Sequence, residues 1–207
     1  MSVLPWVGLS LVEAPASEPI TPEMARLQCS LGDSAEFDAK LAPICAAARE
    51  RVEDATGRKI ILQTWDVFYA CLNNPIILPF GKLAEVTQMA YTPSTGAAVN
   101  FTIAGGDILS GSTVLAHVEA DEAPYATGRI VLAYGQQWPT STLKTSRPVR
   151  VRIKVGWTEG NVPARLIQAM QLLVGDWFRN SEDTKDGQSY RIPNGFEFLV
   201  RDYIVHA

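Results

Sequence analysis

The sequence contains few of the residues from which metal sites and disulfide frameworks are built. Its 207 residues include only three cysteines and two histidines. Cys29, Cys45 and Cys71 are odd in number, widely spaced and form no CxxC pair, so neither a disulfide framework nor a zinc site is expected. His117 and His206 have no ligand-like spacing to other ligand types, so we expect no metal and no cofactor. Reduced thiols favour synthesis in a reducing cytoplasm.

Long hydrophobic runs and an excess of positive charge are also missing. No apolar run reaches the about 18 residues that a membrane span requires. The N-terminal stretch MSVLPWVGLSLVEAP lacks a basic region and is interrupted by Pro5 and Glu13, so it is not predicted to be a signal peptide. The formal net charge of −4 argues against an electrostatic clamp for nucleic acid, which needs a concentrated basic surface.

Catalytic motifs are absent as well. The sequence has no GxSxG, HExxH or P-loop pattern. Gly105-Gly106 lacks the following helix and lysine of a phosphate cradle, so a hairpin turn is predicted there. Asp121-Glu122 has no identifiable partner carboxylate and is predicted to be a solvated loop. No catalytic residue can be named, and the chain is predicted not to be an enzyme.

Three segments carry helix signals. Thr21-Pro22 provides a hydroxyl N-cap followed by proline, which predicts a short helix from there to about Leu31, with Gly32 as its stop. Residues 36–56 carry one apolar stripe with steps of three and four residues. A third apolar stripe predicts a helix over residues 162–180. The stripe of the second helix comprises Phe37, Leu41, Ile44, Ala48, Val52 and Ala55.

The end of the second helix is followed at once by a strand. Thr56, Gly57 and Arg58 form the predicted helix–strand junction, because a glycine at this point can adopt the left-handed conformation of a C-cap. From residue 60 the apolar period changes from 3.6 to two, which places Trp65, Val67 and Tyr69 on one face. The sequence therefore predicts a tight reversal from helix into strand.

Strand signals continue to residue 157. Residues 75–93 predict two strands around a turn, and weaker candidates lie at 98–103, 113–118 and 128–133. The strongest pattern is residues 148–157, where apolar residues alternate with Arg150, Arg152 and Lys154. These three cations are candidates for facing DNA or contacting an anion. The alternative is that they keep an outer face soluble. Aromatic residues do not alternate with these cations, so stacking on single-stranded nucleic acid is not expected.

Together these patterns predict an α+β fold. We expect two long helices plus short terminal helices, with an inserted antiparallel β-strand region between the long helices. The predicted organisation is an N-terminal arm (1–20), a first helical part (21–59), the inserted β region (60–157), a second helical part (158–180), and a linker with a C-terminal interaction tail (181–207).

The C-terminal segment carries more apolar residues than a detached tail needs. Apolar side chains outside a core usually find a partner to bury them, and the alternative is that this segment packs on its own domain. The candidate interface residues are Tyr190, Ile192, Phe196, Phe198, Leu199, Tyr203 and Ile204.

Five motifs in order resemble the phage head-tail connector (adaptor, or head completion) proteins, which also occur in prophages and gene transfer agents. The motifs are ARERVEDATGRKIILQTWDVFY (48–69), IILPFGKLAEVTQMAY (76–91), VRVRIKVGW (149–157), VPARLIQAMQLLVGDWFRN (162–180) and YRIPNGFEFLVRDY (190–203). The order resembles the family over most of residues 20–205. The stretch 94–147 matches no motif of the family, so its surface has no assigned role.

The resemblance implies that the helical parts, residues 21–59 and 158–180, form a small helical bundle from which the inserted β region projects. It also implies a structural role in the virion neck, between capsid and tail. Such proteins form a ring beneath the portal, typically of twelve copies, which extends the DNA channel and docks the tail or a stopper protein. It further implies that residues 190–207 reach the portal or a neighbouring subunit, and that DNA passes without sequence-specific binding. The alternatives are another neck or tail component, such as a stopper or tail terminator, and a small enzyme without an identifiable catalytic motif.

Overall fold

A computed structural model of the chain describes residues 6–32, 34–120, 127–180 and 194–205. These residues contain nine β-strands and four α-helices. The strands are β1 (Gly8–Glu13), β2 (Gln63–Tyr69), β3 (Ile76–Ile77), β4 (Leu83–Tyr91), β5 (Val99–Ala104), β6 (Asp107–Ser110), β7 (Thr113–Glu119), β8 (Arg129–Leu132) and β9 (Val149–Val155). The helices are α1 (Pro22–Cys29), α2 (Asp38–Thr56), α3 (Ala164–Arg179) and α4 (Asn194–Val200), and 3₁₀ turns at Ala35–Phe37 and Arg201–Tyr203 accompany them.

The chain divides into two compact units. One, the β unit, comprises Met1–Pro15, Leu62–Gly156 and Val205–Ala207. The other, the helical unit, comprises Ala16–Ile61 and Trp157–Ile204. Each unit has its own hydrophobic core, so each is held together by the burial of its own apolar side chains.

The β unit is built on one antiparallel sheet. Its strand order is β1-β2-β9-β4-β5-β6-β7-β8-β3. The alternation in β9 has the expected effect, because Val149, Val151, Ile153 and Val155 are fully buried while the residues between them are half-buried. The predicted inward face of β2 is confirmed, since Trp65, Val67 and Tyr69 all contact this core.

Two bulges interrupt the pairing of β4 with β9. The register shifts between Leu83 and Glu85 and again between Val86 and Gln88. Bulges increase the local twist and bend a strand. They also break the alternation of a sequence, which explains why β4 burial does not follow a simple period of two.

The helical unit packs α1, α2 and α3 around one core. The fully buried residues of α2 and α3 include Leu41, Ala48, Val52, Leu166, Ala169, Met170, Leu173 and Val174. The helix α1 ends at Cys29, two residues before the predicted end, and Ser30 rather than Gly32 is its left-handed C-cap, with φ of 59°. The side chain of Thr21 caps its N-terminus as predicted, accepting the Met24 N–H at 3.2 Å.

The predicted fold class is wrong. The sequence indicated a small helical bundle with an inserted strand region, but the chain is mostly β, with a nine-stranded sheet and few helices. The physical reason is that helix signals are local and cumulative, whereas the strands here are short and bulged. Five of them have six residues or fewer, and their burial shows little or only partial alternation.

Candidate interaction surfaces

The helix–strand junction is a tight, fully hydrogen-bonded reversal. Gly57 has φ of 68° and ψ of 15°, and its N–H donates to the Glu53 carbonyl at 2.8 Å. The Thr56 hydroxyl donates to the Val52 carbonyl at 2.7 Å and accepts the Arg58 N–H at 3.3 Å. The predicted left-handed C-cap is therefore confirmed, and the carbonyls at the helix end are satisfied locally.

A buried carboxylate ties the chain after the junction back to α2. One oxygen of Glu53 accepts the Ile60 N–H at 3.0 Å, and the other accepts the Lys59 ammonium at 3.0 Å. Arg49 lies 3.4 Å from the same carboxylate and donates to Glu18 at 2.8 Å. A buried charge is tolerated only when it is paired and hydrogen-bonded, and Glu53 meets both conditions.

Arg58 connects the junction to the C-terminal segment. Its side chain is only 1% exposed, and its Nε donates to the Tyr203 carbonyl at 2.6 Å. Burial lowers the pKa of Arg58 to about 10, so the guanidinium stays charged at neutral pH. The side chain thus serves as an internal anchor for the turn at Arg201–Tyr203 rather than as a surface cation.

The C-terminal segment has a buried side. Phe196 is 2% exposed, and Val200 is buried with it in the core of the helical unit. Leu199 and Tyr203 pack against the same core and are partly exposed. Phe196 is therefore a core residue. Tyr190 and Ile192 lie outside the described residues.

The same segment has an exposed side that carries Phe198 and Arg201, and Arg165 of α3 lies beside them. We call these three residues the Phe198 patch. Phe198 is 64% exposed, and its ring lies 5.9 Å from the Arg165 guanidinium and 5.8 Å from that of Arg201. Arg165 also binds Asp202 at 2.7 Å and the Phe198 carbonyl at 3.2 Å. Cation–π contacts of this kind stabilise the exposed ring beside the guanidinium groups.

A groove of about 590 Å³ lies beside this patch. It is lined by Arg51 and Ala55 of α2 and by Phe196, Glu197, Phe198, Val200, Arg201 and Ile204. Apolar atoms form much of its surface, and the charged side chains of Arg51, Glu197 and Arg201 also line it. A largely apolar groove with a few charged groups and an exposed aromatic is typical of a protein interaction site.

Two of the three cations on the basic face of β9 are neutralised by acids of neighbouring strands, and the third donates to an amide. Arg152 binds Asp66 through two hydrogen bonds of 2.7 and 2.9 Å, and Lys154 lies 3.0 Å from Glu85. Arg150 donates to Gln88 at 3.0 Å. The hydrogen bond with Asp66 raises the pKa of Arg152. We call these three cations and their partners the paired row.

The acidic partners in the paired row were missed at the sequence level. The alternation of β2 sets Asp66 on the face opposite to Trp65 and Val67, but the register that brings it next to Arg152 depends on long-range strand pairing. Glu85 lies opposite Lys154 only because of a bulge. The outward face of β2 was the available signal, since opposite charges on neighbouring strands stabilise a sheet.

The remaining candidate positions do not assemble a reactive site in the described part of the chain. Gly105-Gly106 is the turn between β5 and β6, as predicted. His117 hydrogen-bonds Asp107 at 2.8 Å on the exposed hairpin that follows. Burial raises the pKa of Cys45 to about 11, so its thiol is not activated. No group of three possible metal ligands occurs among the described residues. Asp121, Glu122 and His206 lie outside them.

No protein-family model and no curated protein matches the sequence. Three solved structures share its fold over 97% of both chains. They are chains of the neck of an empty gene transfer agent (GTA) particle computed with C6 symmetry (TM-score 0.74, 20% identity), of the virion of a native GTA particle (0.72, 19%) and of the neck of a native GTA particle computed with C12 symmetry (0.63, 19%). Within the described ranges, no helix is long and apolar enough to cross a membrane.

Proposed function

We propose that this chain is a structural, non-enzymatic component of a virion neck, and specifically the head-tail adaptor that forms a ring beneath the portal of a phage-like capsid. The observation that carries the proposal is the fold shared with GTA neck chains over 97% of both chains. Coverage at this level involves both the β unit and the helical unit, so the similarity is not limited to one common motif. The order of sequence motifs supports the same assignment independently.

A ring of twelve copies is the assembly that we propose. The GTA necks were computed with C6 and C12 symmetry, and either symmetry accommodates twelve subunits. A closed ring is built from heterologous contacts, in which each subunit offers two different surfaces to its neighbours. Such a protein needs binding surfaces rather than a reactive centre. In keeping with this role, every buried side-chain polar atom in the described residues has a hydrogen-bond partner.

The Phe198 patch is the proposed contact with the portal or with a neighbouring subunit. Exposed aromatic and arginine side chains are the residues that most often dominate binding energy at interfaces. Phe198 is the most exposed of the predicted interface residues that the structure describes, and Ile204 lines the adjoining groove. Phe196, by contrast, packs into the core of the helical unit and so anchors the segment to it.

DNA passage is the remaining part of the proposed role. A ring through which DNA slides must not neutralise many phosphates, because each neutralised phosphate releases counterions and strengthens binding. In the paired row, Arg152 and Lys154 are already matched by Asp66 and Glu85. We therefore propose that DNA passes without sequence-specific binding and that the portal, the tail or stopper protein and the neighbouring copies are the true partners.

Cryo-electron microscopy of purified particles tests the proposal directly. We expect density for this chain as a ring between portal and tail, and particles from a deletion strain should lack tails. A position at the tail end of the neck would indicate a stopper or terminator instead. Absence of the chain from tailed particles would refute a structural role in the neck.

Portal binding tests the Phe198 patch separately. We expect Phe198→Ala to weaken capture by purified portal at least tenfold, because a central aromatic anchor contributes about 2 kcal/mol or more. Tyr134→Ala is the matched control, since Tyr134 is a fully exposed aromatic of the β unit. Equal weakening by both variants, or by neither, would contradict this placement of the portal contact.

A further inference from the structure

The edge strand β1 is unusually apolar and open. It pairs with β2 from Gly8 to Glu13, and it is the terminal strand of the sheet, so its other edge has no partner among the described strands. Val7, Leu9, Leu11 and Val12 are all more than one-third exposed. They make up half of the eight large exposed hydrophobic residues in the described chain.

This edge lacks the usual protection against strand addition. Natural edge strands carry lysine, proline or an early bulge that prevents another strand from pairing. Residues 7–12 contain no charge and no proline, and the only bulge lies at the far end, between Leu11 and Glu13. Val7, Leu9 and Leu11 alternate with Gly8 and Ser10 and therefore share one face. A strand added at the open edge would place its own side chains beside them.

A cation stands beside the open edge in a strained conformation. Arg147 has φ of 48°, which is unusual for a residue with a side chain. Its guanidinium lies 5.1 Å from the Phe68 ring and against Gly8, where an added Cβ would approach it to 3.2 Å. Arg147 is exposed and forms no ion pair within the described residues. Strain of this kind persists where the surroundings fix it, commonly at binding sites.

The opposite edge of the sheet, formed by β3, is short and offers little room for an added strand. The terminal strand there, β3, has only two residues, and Ile76 is buried. Pro75 and Pro79 flank it and cannot donate to a new strand. The sheet is therefore closed at one edge and open at the other, which suits a heterologous contact and not continuous edge-to-edge growth.

We infer that β1 and Arg147 form the subunit–subunit contact of the ring, where an extended segment of a second copy of this chain adds to the sheet and presents a carboxylate to Arg147. This inference rests on the proposed ring, which sets a second copy beside every subunit. Charge complementarity supports the same occupant, because the chain has 22 acidic and 18 basic residues and Arg147 is a cation without an acidic partner of its own among the described residues.

Site-specific photo-crosslinking tests the inference in assembled particles. p-Benzoylphenylalanine at Leu11 should yield adducts of two copies of this chain, identified by mass spectrometry. The same probe at Leu27, which is 69% exposed on α1, is the matched control and should give at least tenfold less of that adduct. Adducts with another protein, no adduct at Leu11, or equal self-adduct at both positions would overturn the inference while leaving the neck assignment intact. Absence of the chain from the particles would instead refute the proposed function, and with it the inference.

Variants at Arg147 distinguish a role in subunit binding from a role in the stability of the isolated protein. Arg147→Gly should relieve the backbone strain, so the thermal midpoint of the isolated protein should stay the same or rise. The yield of the Leu11 self-adduct should fall about tenfold, as expected for the loss of one charge-assisted hydrogen bond. Arg147→Lys should retain part of the yield, because the charge remains. An unchanged yield, or a fall in yield accompanied by a lower thermal midpoint, would overturn the role given to Arg147.

Discussion

At the scale of single residues, Gly57 shows how one backbone conformation determines a local structure. Its left-handed φ ends α2 and returns the chain so that Ile60 reaches the buried Glu53 carboxylate. A residue with a side chain would have to adopt a conformation that costs energy here. The sequence predicted this turn correctly because glycine after a long apolar stripe is a local signal.

Replacing Gly57 by alanine should lower the free energy of unfolding by about 1 kcal/mol or more, because alanine is strained at positive φ. Urea unfolding followed by circular dichroism measures the change. Gly195→Ala is the control, since Gly195 is helical and an added Cβ there would make only ordinary contact with Leu172 at 3.5 Å. Equal loss of stability in both variants would contradict the strain argument.

Arg58 illustrates two opposing effects at one residue. Arg58→Met removes the hydrogen bond to the Tyr203 carbonyl, which costs stability, but it also removes the burial of a charge, which gains it. We therefore expect a small change in global stability and a local loss of order. Amide hydrogen exchange in the turn at Arg201–Tyr203 should become faster by at least tenfold.

The control for Arg58→Met is Arg51→Met, which removes an exposed arginine of α2. That variant should leave exchange in the C-terminal turn unchanged. If Arg58→Met also left it unchanged, the anchoring role of Arg58 would be wrong.

At the scale of elements, the C-terminal segment has one side that packs into the core and one side that is exposed, and its sequence alone does not show which residues lie on which side. Phe196 and Phe198 are two residues apart and chemically identical, yet one is buried and the other projects beside Arg165 and Arg201. Which of them faces the core depends on how α4 packs on the helical unit. Composition alone suggested a free tail, whereas the structure shows an attached segment with one exposed face.

The pair of phenylalanines provides a matched test. Phe196→Ala should destabilise the protein by about 3–5 kcal/mol, because it removes a buried aromatic and leaves a cavity. Phe198→Ala should change stability by less than about 0.5 kcal/mol, as is usual for an exposed position. Thermal and urea unfolding of both variants measure the difference. Similar values for the two variants would mean that α4 is not docked as described.

Among the individual elements, the sequence predicted helices and strands best where the signal lay within the element itself. Caps and stripes predicted α2 and α3, and the alternation at residues 149–155 predicted β9. The pairing of β1 was not predictable, because residues 1–20 show no clear period and its partner β2 lies about 50 residues away in sequence. The Phe198 patch was predicted only in outline, since exposure depends on tertiary packing.

At the scale of the whole molecule, the predicted fold class failed because it weighted local helix signals above long-range pairing. The sheet is assembled from strands far apart in sequence, such as β2 with β9. Bulges and short strands weaken the alternation that would have predicted them. The same long-range pairing brings Asp66 to Arg152, so the neutralisation of the basic face was equally beyond local reasoning.

That neutralisation leads to a prediction about DNA. The wild-type protein should bind duplex DNA weakly, because two of the three cations of the paired row, Arg152 and Lys154, are already matched by acids and so displace few counterions. In Asp66→Asn/Glu85→Gln, Arg152 and Lys154 lose those partners. The slope of log affinity against log salt should then become more negative by about 1.8, which is the value for two additional phosphate contacts. Fluorescence anisotropy with a labelled duplex over a salt series measures the slope.

The control must change net charge without freeing a cation. Asp54→Asn/Glu23→Gln shifts the formal net charge from −4 to −2, as the first pair does, since each pair removes two acids. Asp54 and Glu23 are exposed and have no ion pair among the described residues, so their loss should leave the slope nearly unchanged. If both double variants steepened the slope equally, the weak binding would be a consequence of overall charge alone. If only the first did so, the weak binding would be a consequence of the local pairing of Arg152 and Lys154 with Asp66 and Glu85 on this one sheet face.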